Sequence, residues 1–139
     1  MKIDDVKALW AIRRHAADHA AQQLGQADAR RVEAERTLAT YRARVDDEAR
    51  QVHDLDLSRA LAPWYRAAAG RLRDLEASAA ERTDQAAAAR ESLLAATTEA
   101  ERIGTVAEQL ETERRVETAR QAQAQMDALG LRRRLGRRG

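Results

Sequence analysis

The chain has 139 residues, 35% of them charged and 3% aromatic, with no cysteine, no phenylalanine and a formal net charge of +2. That length suits one domain, and the missing cysteines exclude disulfides and thiolate metal sites. Leu, Ile and Val number 23, too few for an ordinary globular core, whereas Ala, Glu, Lys, Leu and Arg number 83, the composition of long helices or coiled coil.

No run approaches the ~20 apolar residues of a membrane span. The opening Met1-Lys2-Ile3-Asp4-Asp5 lacks the apolar stretch of a signal peptide, so a cytosolic protein is expected. The small net charge hides an asymmetry. Arg132, Arg133, Arg134, Arg137 and Arg138 lie together near the end. Without these five, 20 basic residues face 23 acidic ones.

The first predicted helix starts at Asp4 or Asp5, either of which suits its positive end. Apolar positions then step by threes and fours: Ile3, Val6, Trp10, Arg13, Ala17, Ala20, Leu24, Ala27, Arg31, Ala34, Leu38, Tyr41, Val45, Glu48, Val52, Leu55. This period is that of a coiled-coil seam. Leu9 and Ile12 widen it near the start. Arg13, Arg31 and Glu48 interrupt it. Their stems are expected to cover alanine while the charges reach water. The leg should be on the order of 80 Å long.

The only proline, Pro63, lies in Leu55–Trp64, which reads as the tip of a hairpin at about 56–63. Ser58 is a candidate N-cap, and Pro63 fits a first helical turn. The second seam runs Tyr65, Ala68, Leu72, Leu75, Ala79, Arg82, Ala86, Ala89, Leu93, Ala96, Ala100, Ile103, Ala107, Leu110. Folding the chain at residue 60 pairs positions whose numbers add to about 120, with Trp10 on Leu110, Val45 on Leu75 and Val52 on Ala68. Large residues then mostly face small ones, as interdigitating helices require. Asp46/Arg50 and Glu111/Arg115 are expected i,i+4 pairs. The predicted fold class is all-α, two long helices in an antiparallel coiled-coil hairpin over 1–131, followed by a basic tail over 132–139.

Past Glu117 the second helix has no partner in this register. It carries another stripe, Ala119, Ala122, Met126 and Leu129, and Gly130 reads as its stop. An uncovered apolar side next to five arginines fits docking to an acidic protein surface. An electrostatic contact with anionic lipid is a second reading. A nucleic-acid arm is a third, but it lacks interleaved aromatics and the body is acidic, so no nucleic acid is expected.

No catalytic residues are visible. There is no Gly-rich phosphate loop, and no nucleophile stands with a base. His15 and His19 share a helical face, but two histidines without a firm third ligand are a weak metal site. The chain is read as no enzyme, with no cofactor and no metal.

Three stretches carry a family resemblance: Ala34-Glu35-Arg36-Thr37-Leu38-Ala39-Thr40-Tyr41-Arg42, then Trp64-Tyr65-Arg66 leading to Leu72-Arg73-Asp74-Leu75-Glu76, and Glu111-Thr112-Glu113-Arg114-Arg115. With the hairpin plan and the basic end, the chain resembles the FliJ family of flagellar export proteins and the YscO-like stalk proteins of virulence type III secretion. The resemblance implies a central stalk in a hexameric type III export ATPase. The terminal end would enter the ring and promote assembly and hydrolysis, and the hairpin would reach an export-gate membrane protein. Substrate-specific export chaperones would be further partners. Carried over by position, the ring contact would be Ile3, Val6, Leu9, Trp10, Met126, Leu129, Arg132, Arg133 and Arg134. The export-gate contact would be Leu38, Tyr41, Val45, Leu72 and Leu75. The implied location is cytoplasmic, peripheral to the inner membrane at the export apparatus. The alternative is a structural coiled-coil adaptor or dimerisation protein unrelated to secretion.

Overall fold

A computed structural model describes residues 2–54 and 58–138. Two helices account for them, α1 (Ile3–Asp54) and α2 (Ser58–Arg138). They lie against each other as an all-α antiparallel hairpin. Leu55, Asp56 and Leu57, the first part of the expected tip, lie outside the described residues, as does the side chain of Ser58.

The start of α1 is two or three residues earlier than a cap at Asp4 or Asp5 would give. The carbonyl of Lys2 accepts from the amides of Asp5 (3.1 Å) and Val6 (3.2 Å), so Lys2 holds the capping position. Asp4 and Asp5 fall in the first turn, where their charges meet exposed amides and the positive end of the helix. Pro63 also departs from expectation. It sits inside α2, the sixth residue from its start, so the chain is already helical from the third residue of the expected tip. A proline there forgoes one i→i−4 bond at a point where few bonds precede it.

The chain divides into two compact units, Met1–Ala16 with Ala96–Gly139, and Ala17–Ala95. In each, a piece of α1 packs on a piece of α2. In the first unit Val6, Ala100 and Ala107 are buried, and Lys7 Nζ reaches Glu111 Oε2 at 3.1 Å. In the second, Leu38, Ala68, Ala79 and Ala86 are buried, and Arg42 bonds Glu76 at 3.0 Å. Residue numbers add to 118 in both ion pairs, close to the expected 120. Five of these seven buried apolar residues are alanine. Small side chains let backbones approach but remove little apolar area each, at ~25 cal/mol per Å².

The expected seam of α1 is covered at all its described positions except Arg13, which is exposed. Arg31 is half-buried and held on its own helix by Asp28 (3.3 Å) and Glu35 (3.1 Å). Those two carboxylates, Glu35 first, raise its pKa, so its charge is fixed at any working pH. Glu48 pairs with Arg44 at 3.5 Å. The seam of α2 is covered at every expected position except Tyr65. Trp64 takes that inner place, half-buried, with Tyr65 edge-on at 4.9 Å and 70°. Thr37, Thr83, Thr105 and Thr112 donate to carbonyls four residues back, which satisfies a hydroxyl in mid-helix.

Gly130 does not stop α2, which runs through it to Arg138. One helical glycine costs about 1 kcal/mol relative to alanine. Ala128 and Leu129 before it and leucine and arginine after it favour helix, and the arginines suit its negative end. The basic segment from 132 is therefore helical up to Arg138.

Candidate functional site

The first unit contains the residues that chemistry could use. Trp10, half-buried on α1, lies against the bare backbone of Gly104 on α2. A Cβ built on Gly104 would meet the indole Nε1 at 2.9 Å and Cε2 at 3.2 Å. Trp10 was expected on Leu110. The flat ring needs a hollow, and glycine supplies one. Arg14 lies over the ring, its guanidinium carbon 5.1 Å from the centroid, a cation–π arrangement.

Beside the indole lies an open groove of about 600 Å³, lined by Lys7, Trp10, Arg14, Glu108, Glu111 and Arg115 among others. Glu111 was expected to pair with Arg115 along its own helix but turns to Lys7 instead. The Lys7 ammonium, 3.1 Å from Oε2, holds the Glu111 carboxyl below its usual range. Glu111 and Arg115 also line a shallower groove that runs on to Ala119 and Ala122.

Beyond Glu111 every residue of α2 from Thr112 to Arg137 is exposed. Extending the phase of Ala107 and Leu110 by threes and fours brings Arg114, Thr118, Gln121 and Gln125 onto the packing face. A polar packing face offers α1 nothing to bury. The stripe Ala119, Ala122, Met126 and Leu129 is turned roughly 90° away, at 3.6 residues per turn. Met126 is 67% exposed and Leu129 55%.

The nine residues that the resemblance implied for a ring contact therefore fall into two sets within one unit. Val6 is buried, and Ile3, Leu9 and Trp10 are half-buried between the helices. Met126, Leu129, Arg132, Arg133 and Arg134 stand on the uncovered part of α2. Of the five residues that the resemblance implied for an export-gate contact, Leu38 is buried and Tyr41, Val45, Leu72 and Leu75 are half-buried in the seam of the second unit. Tyr41 and Leu75 also line an open groove of about 290 Å³ with Arg36, Arg44 and Arg71.

Sequence reasoning missed two features. One is Gly104, which in an alanine-rich seam looks like another small residue. The signal was the only indole in the first leg, which had to be accommodated somewhere. The other is a second exposed stripe on α2, Ala124, Ala128, Leu131 and Leu135, spaced i, i+4, i+7, i+11. The expected stop at Gly130 concealed it.

His15 and His19 are exposed, and His19 Nε2 lies 3.1 Å from the Gln23 amide. Among the described residues no group of three or more His, Cys, Asp or Glu is placed to hold a metal. No helix among them is long and apolar enough to cross a membrane. No protein-family model, curated protein or solved structure matches the chain.

Proposed function

We propose that this chain is a non-enzymatic stalk of a type III protein export apparatus, acting on a hexameric export ATPase. One observation carries the proposal. Past Glu111 the second helix keeps apolar residues, Val116, Met126 and Leu129, that nothing in its own hairpin covers. An apolar face flanked by cationic residues is a surface for another protein. The resemblance of Ala34–Arg42, Trp64–Glu76 and Glu111–Arg115 to FliJ-like stalks names the partner class.

On this proposal Met126, Leu129 and Arg132–Arg134 enter the ring. Val6 and Trp10 brace the helix that presents them. One hairpin in a six-fold ring contacts unlike subunits unequally, and that asymmetry biases them toward different nucleotide states. The hairpin, through Tyr41 and Leu75, faces an export-gate membrane protein and positions the chain peripherally at the cytoplasmic side of the inner membrane. Substrate-specific export chaperones are further partners.

A structural adaptor that self-associates is the second reading, and the same exposed stripe favours it. An antiparallel pair centred near residue 124 would set Met126 on Ala122 and Leu129 on Ala119. It would also set Arg133 and Arg134 against Arg115 and Arg114, and those like charges oppose it. Co-migration with the export ATPase, using Met126→Glu/Leu129→Glu as the variant, tests the proposal. A complex with the native chain and none with the variant supports it. A native chain that runs as a dimer and ignores the ATPase moves the weight to the adaptor.

A further inference from the structure

We propose that the last turns of α2 form a membrane-surface helix that binds anionic lipid bilayers through Leu131 and Leu135. The inference depends on the helix continuing past Gly130 to Arg138. As a tail, Leu131 and Leu135 would have no common side. As a helix they join Ala124 and Ala128 on an arc about 60° wide, at 3.6 residues per turn. Leu131 is 59% exposed and Leu135 63%. Arg134 flanks the arc on one side and Arg132 on the other, each within about 60° of it. From Ala128 onward no acidic residue is present.

This is the layout of an interfacial helix: a narrow apolar face, cationic flanks and low overall hydrophobicity. Arginine stems are long enough to lie along the apolar face while their guanidinium groups reach phosphate. Charge complementarity selects an anionic surface. Shape selects lipid over an acidic protein. The surface is one convex helix with two leucines a turn apart, without the groove or buried polar anchor that a specific protein contact is built around. A fluid, evenly charged face needs neither. The stripe points away from Met126 and Leu129, but Arg132 and Arg134 belong to both surfaces, so this end meets a bilayer only while it is outside the ring, and bilayer binding needs no ATPase.

The test is sedimentation of the full chain with vesicles of phosphatidylglycerol and phosphatidylcholine, against vesicles of phosphatidylcholine alone. Binding to the anionic vesicles only, reversed by raising salt to about 0.5 M, is expected. Leu131→Gln/Leu135→Gln should weaken it by at least about tenfold. Arg132→Gln and Arg134→Gln should each weaken it about fivefold. Both leucines are exposed, so circular dichroism should show the helix content unchanged. No binding to anionic vesicles at low salt overturns the proposal. Binding that the leucine variant leaves intact also overturns it, because charge alone would then suffice and the arginines would mark an acidic protein surface. Since the assay contains no ATPase, its failure and the failure of the stalk proposal are separate results.

Discussion

Gly104→Ala should behave oppositely to the same change at Gly25 or Gly70. All three glycines lie inside helices. In a helix interior alanine is better than glycine by about 1 kcal/mol. At Gly25 and Gly70 an added Cβ meets nothing within 4 Å, so each change should stabilise by up to that amount. At Gly104 the methyl would sit 2.9 Å from the Trp10 indole. Overpacking of this kind costs about 1–3 kcal/mol. The propensity gain offsets part of it, leaving a net loss between about zero and 2 kcal/mol. The open groove beside the ring lets the indole yield, which favours the lower half of that range. Thermal unfolding followed at 222 nm reads the difference, at about 4 °C per kcal/mol for a chain of this size. The decisive variant is the double change. With Trp10→Ala already present, Gly104→Ala should become stabilising by about 1 kcal/mol. Should Gly104→Ala raise the native chain's Tm as Gly25→Ala does, Trp10 is not seated on that backbone.

Leu38→Ala should cost about 2–3 kcal/mol in urea unfolding, since it deletes one of the few large buried side chains. Leu129→Ala, on the uncovered face, should stay within about 0.5 kcal/mol. A large loss there would mean that the face is covered. The lowered Glu111 pKa gives a pH dependence with a definite sign. Its stabilisation is fully present above the ordinary glutamate value of about 4.3 and is lost as pH falls through the lowered folded value. Lys7→Met should weaken that acid limb, and an unchanged limb contradicts the pairing. Pro63→Ala should raise Tm, because it restores one helical bond near the start of α2. A lower Tm would show that proline is needed to begin the helix.

The seams were legible because a three-four step repeated over many turns leaves one phase. Alanine fixes it as well as leucine does once Val6, Leu38 and Leu75 anchor it. The exceptions have local causes. Trp64 and Tyr65 are adjacent aromatics, and a period cannot say which of two neighbours turns inward. Arg13 follows Trp10, whose ring already occupies the hollow at Gly104, so nothing draws the arginine stem under. Lys2 caps through its carbonyl, which any residue can do, so no side-chain signal marked it. Gly130 looked like a stop because glycine favours helix ends. Its ~1 kcal/mol penalty is too small to end a helix that leucine and arginine continue. The site was legible only in part. Met126 and Leu129 stood out as a stripe off the seam's phase. Leu131 and Leu135 acquire a common side only in a helix that continues past Gly130.

The central claim is that the uncovered part of α2 acts on an export ATPase. ATP hydrolysis by the cognate ATPase, with the full chain and with a chain ending at Gln121, tests it most directly. The full chain should raise the rate and promote ring formation, and the shortened chain should do neither while keeping both helices up to that point. Equal stimulation by the two chains, or none by either, contradicts the claim.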